Sequence, residues 1–427
     1  MPTVPTAWPP PPPPAPWPDT LMTATVPTIA GGVTSPRGFR AAGIAAGIKA
    51  SQALDLALLV SDTDAQAASV FTTNRAVAAP VVVSREHLAR SGGIARAIVV
   101  NSGCANACTG SDGMQAARDM ATETARLVSC PVEQVLVAST GVIGVALPMD
   151  KVRAGLPLAA RALAADQGSA AARAIMTTDP FPKETAARLT IGTGRPAEVV
   201  IGGMAKGSGM IEPMLATMLG FVTTDAALPP ALLAKALREA VDDSFNAITV
   251  DGECSTNDCV MLLANGASGV TIDEGSYPAF LNGLLAVCRE LALGIVRGGE
   301  GATKLVTVVV TGAASPAEAR QAAKAIANSP LVKTAIHGGD PNWGRLIAVA
   351  GRAGVAFELD RAAVSIGSTV LFKDGHPHDE AAPLAAEYLK GTDLTVSVDL
   401  GAGRASSTVW TCDLSAEYVR INADYRT

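Results

Sequence analysis

The chain has 427 residues, of which 48% are hydrophobic, 17% charged and 4% aromatic, and its formal net charge is −6 at pH 7. This composition indicates a globular protein with more than one structural unit and excludes a disordered chain. Because neutralising phosphates requires clustered Lys and Arg, and the sequence holds no basic run, nucleic acid is excluded as a partner and a small polar substrate is favoured.

The sequence carries neither a metal-ligand pattern nor an export signal. Its seven cysteines are scattered, without a C-x-x-C pair or a His at ligand spacing, which is typical of small buried apolar groups. A secretory signal is missing, and no uninterrupted apolar stretch reaches the length of a membrane span. We therefore expect a cytoplasmic protein with no metal site and no membrane contact.

Residues 1–26 differ from the rest of the chain because they are rich in proline, with an unbroken run at Pro9–Pro14. Proline runs favour the polyproline II conformation, which joins neither a sheet nor a helix. We predict a disordered extension, with Met1 or Met22 as the natural start. A proline-rich ligand for a recognition module is the alternative interpretation.

The next part of the chain mixes strands, helices and glycine-rich turns. Val26–Val83 is typical of short β-rich segments, with a buried strand at Leu56–Val60. Further strands are predicted at Ala97–Val100 and Gln134–Ala138. Helical spacing of apolar residues predicts three helices, at Met114–Val128, Lys151–Ala165 and Ala170–Ile175.

Two polar loops in this part could serve a site. Ser139–Gly144 follows a strand, where backbone N–H groups can bind an anion; an ordinary strand-to-helix turn is the alternative. Met176–Lys183 is dense in hydroxyls, and its two prolines exclude a helix.

The second half also mixes element types. Helices are predicted at Pro229–Val241, Ala279–Val296 and Pro316–Ala327, and strands at Leu305–Thr311, 394–399 and 407–411. Loops are predicted at 250–258 and 338–345. Because strands and helices do not alternate strictly, we predict an α+β fold of mixed-sheet and helix layers rather than a doubly wound sheet.

The segment from Lys206 to Ala226 is the most unusual in the sequence. A glycine-broken lead runs into an apolar stretch, Met214–Val222, which holds one hydroxyl, Thr217. Thr217 could be a β-branched residue of a buried strand. It could also be a nucleophile, because a threonine can use its own α-amine as the base once the preceding peptide bond, here Ala216–Thr217, is cut.

The chain resembles the glutamate N-acetyltransferase/ornithine acetyltransferase family of arginine biosynthesis over residues 27–427. The resemblance rests on motifs in order along the chain: GGVTSPRGFRAAGIAAGIK from 31, FTTNRAVAAPV from 71, VNSGCANACTG from 100, ASTGVIG from 138, IMTTDPFPKE from 175, KGSGMI…ATMLGFVTTDA from 206, GGEGATKLV from 298, GGDPNWGR from 338 and the terminal YVRINADYRT. It implies the fold shared with self-processing aminopeptidases.

The resemblance also implies a mechanism. The chain would cut itself at Ala216–Thr217 into an α chain of residues 1–216 and a β chain of residues 217–427, assembled as an α2β2 heterotetramer. Thr217 would carry acetyl from N-acetylornithine to glutamate in a ping-pong cycle, releasing ornithine and N-acetylglutamate without a cofactor. Whether acetyl-CoA is a second acetyl donor stays open.

The resemblance also implies roles for particular residues. Thr140 and Gly141 would stabilise the oxyanion. The substrate would contact Thr177, Lys206, Thr217, Glu300, Asn422 and Thr427, with Thr178 as the alternative to Thr177. We expect the Lys206 ammonium to pair with a substrate carboxylate and Glu300 to accept a substrate amine.

Some features leave the assignment open. Glu212-Pro213-Met214-Leu215 departs from the pattern expected before the cleavage site, which leaves donor and acceptor preference undecided. The alternative enzyme is a self-cleaving Thr or Ser aminopeptidase or amidohydrolase of related fold. The non-enzymatic alternative is a small-molecule binding protein, which would remain one polypeptide of 43.2 kDa.

Overall fold

The computed structural model describes residues 26–192, 196–212 and 218–424. The strands in these ranges are β1 (Thr28–Ile29), β2 (Phe39–Ile44), β3 (Leu56–Phe71), β4 (Ile94–Cys104), β5 (Val135–Val142), β6 (Lys183–Ile191), β7 (Ala197–Lys206), β8 (Leu219–Thr224), β9 (Cys259–Ala264), β10 (Leu305–Ala313), β11 (Ala363–Ile366), β12 (Thr369–Lys373), β13 (His376–Pro377), β14 (Asp393–Asp399) and β15 (Ala405–Cys412). The helices are α1 (Ala79–Arg90), α2 (Gly110–Val128), α3 (Met149–Arg161), α4 (Gly168–Ala174), α5 (Pro230–Asp242), α6 (Tyr277–Arg297), α7 (Pro316–Ala327), α8 (Pro330–Gly338), α9 (Trp343–Gly351), α10 (Ala382–Tyr388) and α11 (Ala416–Asp424).

In the described part of the chain, the first nine strands form one mixed sheet in the order β1-β6-β7-β8-β9-β3-β4-β5, with β2 paired to β3. The long strand β3 joins the two halves of the sheet, because its first residues pair with β4 and its last residues pair with β9. The β4–β5 and β8–β9 pairs are parallel, and the other pairs are antiparallel.

Alternating side chains of this sheet divide between separate cores. In β8, Phe221 packs into a core shared with β3, β4 and β5, whereas Val222 packs into a core shared with α5 and α6. Opposite orientation of successive side chains is the period-2 geometry of a strand. The sheet is therefore buried on both faces, and its strand ends are the part left for a site.

The second sheet lies later in the chain and has six strands among the described residues, in the order β13-β12-β11-β14-β10-β15. Helix α7 packs on β10 and β15. It begins where the sequence signals a start: the Ser315 hydroxyl accepts a hydrogen bond from the Glu318 N–H at 3.3 Å, and Pro316 needs no N–H partner.

The predicted α+β class is confirmed, since both sheets mix parallel and antiparallel pairs. The prediction for Pro316–Ala327 matches α7 at both ends, and the other predicted helices lie within a few residues of those observed. Residues 1–25 of the predicted extension lie outside the described residues.

Two sequence predictions are wrong in part. Val26–Val83 was expected to hold only short β-rich segments, but β3 runs for 16 residues and α1 begins at Ala79. The valines of α1 favour a strand by propensity, yet burying one face of the helix against β5 decides its structure. Residues 338–345 were expected to be a loop, but Trp343 already begins α9, with the Asn342 side chain capping it.

Helix α6 is apolar and long enough to cross a membrane by length and composition alone. Eleven of its 21 residues are buried inside the fold, packed on β6, β7 and α5. Its apolar character is that of a core helix.

Candidate active site

A cleft of about 140 Å³ lies where the ends of β5 and β7 meet α11. It draws its lining from segments that are far apart in the sequence: Ala105, Thr140, Gly141, Ile143, Thr177, Thr178, Lys206, Gly209, Met210, Ile211, Met218, Leu219, Asp251, Glu253, Ser255, Thr256, Asn257, Asp258, Glu300, Tyr418 and Asn422. Six predicted site residues lie in this one cleft: Thr140, Gly141, Thr177, Lys206, Glu300 and Asn422.

Thr140 and Gly141 occupy the end of β5, paired in parallel with Ser102 and Gly103 of β4. Gly141 has φ +128°, which side chains rarely adopt, and a Cβ there would lie 2.4 Å from the Gly103 carbonyl carbon. Glycine is therefore required for the two strand ends to lie this close together. The tight pairing fixes the backbone that presents the Thr140 hydroxyl to the cleft.

Lys206 ends β7 and is 8% exposed. Its ammonium donates to the Thr177 hydroxyl at 2.7 Å and to the Thr140 hydroxyl at 3.2 Å. Within the described residues, these are the two hydrogen bonds of an ammonium that has three donors. Lys206 thus places a positive charge between two hydroxyl-bearing loops.

Beneath Lys206 lies Asp179, which was not singled out from the sequence. It is 7% exposed, and its carboxylate pairs with the ammonium of buried Lys183 at 2.5 Å. Burial by itself would raise the pKa of the Asp179 carboxyl, but the ammonium groups of Lys183 and Lys206 outweigh it and hold that pKa well below its ordinary value. Asp179 is therefore a buried anion.

Glu300 follows α6, lines the cleft and is 5% exposed. Its carboxylate accepts a hydrogen bond from the Asn422 amide at 2.8 Å, and its N–H donates to the Ser208 carbonyl at 2.9 Å. A Cβ on Gly209 would lie 2.3 Å from the Glu300 carboxylate. The absence of a side chain at position 209 therefore makes room for this carboxylate.

We expect Gly209→Ala to displace the Glu300 carboxylate, because the added methyl cannot share its space, and thereby to break the Asn422 bond. Overpacking of this kind costs about 1–3 kcal/mol. We expect KM to rise about tenfold in steady-state kinetics, since 1.4 kcal/mol corresponds to one decade. The matched control is Gly338→Ala, where an added Cβ meets nothing within 4 Å and kinetics should not change; equal effects of the two variants would contradict this role for Gly209.

A second pair of residues that was not predicted from the sequence, Tyr418 and Asp251, joins α11 to the cleft. The Tyr418 hydroxyl donates to Asp251 at 3.2 Å, and Asp251 also accepts the N–H groups of Met210 and Ile211, both at 2.7 Å. Burial and then the Asp251 charge raise the pKa of the Tyr418 hydroxyl, which keeps it a donor. The polar loop 250–258, which contains Asp251, was predicted from the sequence. No sequence feature indicated that Tyr418 bonds this loop.

Three predicted residues, Ala216, Thr217 and Thr427, lie outside the described residues. Ile211, two residues before the range 213–217, and Met218, directly after it, line the cleft. Across residues 26–192, 196–212 and 218–424, no group of three His, Cys, Asp or Glu side chains is arranged to hold a metal ion.

Comparison with known proteins places this site in context. Residues 40–427 match the profile of the ArgJ family. The chain is 52% identical over 406 residues to the arginine biosynthesis bifunctional protein ArgJ of Symbiobacterium thermophilum, an alignment that covers 93% of this chain and 99% of the relative. It is 50% identical over 419 residues to the protein of the same name from a Synechococcus species, covering 95% and 100%.

Solved structures also match. One is an ornithine acetyltransferase from Mycobacterium tuberculosis complexed with ornithine, 44% identical, which covers 45% of this chain and 100% of its own, with a TM-score of 0.42. Another is an arginine biosynthesis bifunctional protein from Bacillus halodurans, 41% identical, which covers 46% of this chain and 100% of its own, also with a TM-score of 0.42.

Proposed function

The chain belongs to the ArgJ family, and from this premise we propose how its cleft performs acetyl transfer. The protein is an ornithine acetyltransferase of arginine biosynthesis, the activity of the family. In our proposal it takes acetyl from N-acetylornithine, releases ornithine and passes the acetyl group to glutamate to form N-acetylglutamate. The observation that supports this proposal most strongly is that six predicted site residues from separate segments line one cleft.

We assign self-cleavage to the bond before Thr217. The Thr217 hydroxyl attacks the Ala216 carbonyl, the amide nitrogen leaves as the new α-amine, and water hydrolyses the resulting ester. The products are chains of 216 and 427 − 216 = 211 residues. The location of Ile211 and Met218 in the cleft lining supports placing this bond there. We further propose that two copies of each chain assemble as an α2β2 heterotetramer in the cytoplasm.

In the transfer cycle, the freed α-amine of Thr217 takes the hydroxyl proton as the oxygen attacks the acetyl carbonyl. The Thr140 hydroxyl and the Gly141 N–H stabilise the oxyanion of the tetrahedral intermediate. The ornithine amine then leaves with the proton, and acetyl remains as an ester on Thr217. Glutamate reverses these steps with its own amine.

Substrate is held by charges of both signs. Lys206 pairs with a substrate carboxylate, and its bond to the Thr177 hydroxyl favours Thr177 over Thr178 as the substrate contact. Glu300 and Asn422 receive a substrate amine, and we also assign Thr427 to the substrate contacts. The bifunctional relatives support a second activity, which we propose is acetylation of glutamate from acetyl-CoA.

The test of the transfer reaction follows ornithine release from N-acetylornithine with and without glutamate. We expect glutamate to accelerate release and to appear as N-acetylglutamate. Release at the same rate without glutamate would mean that water accepts the acetyl group, as in a hydrolase. Acetyl-CoA is then substituted for N-acetylornithine to measure the second activity.

Lys206→Met should raise KM for N-acetylornithine about 10- to 100-fold, because a hydrogen bond to a charged group contributes about 1.5–3 kcal/mol. Methionine keeps the length of the side chain without its charge. Steady-state kinetics measure the change, with Lys235→Met on the exposed surface of α5 as the control for loss of a cation. An unchanged KM in the Lys206 variant would contradict carboxylate binding there.

A further inference from the structure

The Asp179 carboxylate joins its own segment, residues 177–183, to Gly207. Oδ1 accepts the Lys183 ammonium at 2.5 Å and the Gly207 N–H at 2.8 Å, and Oδ2 accepts the Thr177 N–H at 2.9 Å. Both oxygens are therefore in use, and the side chain is fully buried. A group that makes this many bonds in an apolar interior fixes the positions of its partners.

The bonded backbone groups belong to cleft residues or their neighbours. Thr177 itself lines the cleft, and Gly207 follows Lys206 directly. Because the Lys206 ammonium donates back to the Thr177 hydroxyl at 2.7 Å, the contacts close into a ring from Asp179 through Thr177 and Lys206 to Gly207. A movement of Asp179 therefore changes the distance between the two cleft side chains.

Lys183 connects the Asp179 carboxylate to the carboxyl end of α6. Its side chain lies against Gly294 and Gly298 at the carboxyl end of α6, where an added Cβ would come within 3.3 and 3.1 Å of it. The end of a helix dipole there is negative and favours a cation. The carbonyl of Gly298, two residues before Glu300, accepts a hydrogen bond from the Ser208 hydroxyl at 2.6 Å. The buried Asp179–Lys183 pair is therefore also close to the segment that carries Glu300.

We propose that Asp179 is a positioning residue for acetyl transfer, which holds Lys206 and Thr177 at the separation that binds substrate. The inference rests on the proposed function, in which those two residues contact substrate. Asp179 does not line the cleft, and it acts through the residues it bonds.

An ionised carboxylate is needed because it accepts at two oxygens, whereas an amide accepts at one. Asp179→Asn loses an acceptor for a backbone N–H and also leaves Lys183 buried without its counter-charge, which destabilises the fold. We therefore pair it with Lys183→Met. The double variant Asp179→Asn/Lys183→Met removes both charges and keeps side chains of similar size.

The first measurement compares stability and catalysis in the double variant. We expect its Tm to be somewhat below that of the wild type, because one buried backbone N–H loses its acceptor. Its kcat/KM should be about 100-fold lower, since a displacement of about 1 Å at a site costs about this factor. A double variant that folds with wild-type kcat/KM would overturn the proposal, because the pair would then serve the fold alone.

The second measurement is a double-mutant cycle with Lys206→Met. If Asp179 acts through Lys206, the Lys206 change should raise KM 10- to 100-fold in the wild type but less than threefold in the double-variant background. The same fold-change in both backgrounds would mean that the two residues act independently and would overturn the proposal.

The matched control is Asp225→Asn. Asp225 is also buried and also accepts two backbone N–H groups, from Val200 at 2.8 Å and Arg37 at 3.3 Å, but does not line the cleft. The Asp225→Asn variant should have a lower Tm and an unchanged kcat/KM. If Lys206→Met alone has no effect, the proposed substrate contact at Lys206 fails; if it has its effect but is not coupled to Asp179, only this inference fails.

Discussion

Thr217→Ala is expected to leave a single band of 43.2 kDa on a denaturing gel and to lower acetyl transfer by about 10⁴-fold or more. Alanine has no oxygen to attack the Ala216 carbonyl, so the chain stays whole. The same missing oxygen removes the acetyl carrier. The wild-type chain should run as two bands of similar size, because the chains have 216 and 211 residues.

Thr217→Ser is the control, because it keeps the hydroxyl and loses only a methyl group. We expect this variant to cut itself and to transfer acetyl at a reduced rate. Mass spectrometry of the wild-type β chain after mixing with N-acetylornithine alone should show one added acetyl group. Two bands in Thr217→Ala would place the cut elsewhere and contradict the assignment.

Thr140→Val is expected to lower kcat by about 10²–10³-fold, because loss of one oxyanion donor has this effect in acyl-transfer enzymes. Valine has the shape of threonine without the hydroxyl. Burst kinetics with N-acetylornithine alone should show the loss in the acetylation step of Thr217.

Thr177→Val separates the oxyanion role from an effect through Lys206, since the Lys206 ammonium donates to both hydroxyls. We expect this variant to change KM more than kcat. Thr140→Ser, which restores a donor, should recover most of the activity. Equal kcat losses in Thr140→Val and Thr177→Val would indicate that Thr140 acts only by holding Lys206.

The sequence predicted helices best where local signals agreed. Both ends of α7 were predicted, and the structure shows the local signals behind its start: the Ser315 side chain caps the first turn, and Pro316 begins the helix. Helix α1 was missed since its run of valines favours a strand, and only contact with β5 and α2 decides its structure. Tertiary packing of this kind leaves no pattern in the local sequence.

The same limit applies to the candidate site. Thr140, Lys206 and Glu300 came from motifs shared with a known family, and the structure brings them to one cleft. Asp179 and Tyr418 act through partners that are close in space but distant in the sequence: Asp179 accepts from the N–H of Gly207, 28 positions later, and Tyr418 bonds Asp251, 167 positions earlier. A single sequence cannot show such pairs, because the fold alone decides which loops meet.

In the sequence, the bond assigned to cleavage falls between β7 and β8, which are neighbouring strands of one sheet. β7 precedes it and β8 follows it, and they pair from Ile201–Thr224 to Lys206–Leu219; β3 and β9 form a second pair across the same division. A cut there would not release either piece, because all of these interstrand bonds remain. It would, however, change how the protein refolds. An uncut chain folds as one molecule, whereas two separated pieces must first find each other, so recovery from denaturant becomes dependent on concentration. Self-cleavage would thus turn refolding after denaturation from a unimolecular into a bimolecular process.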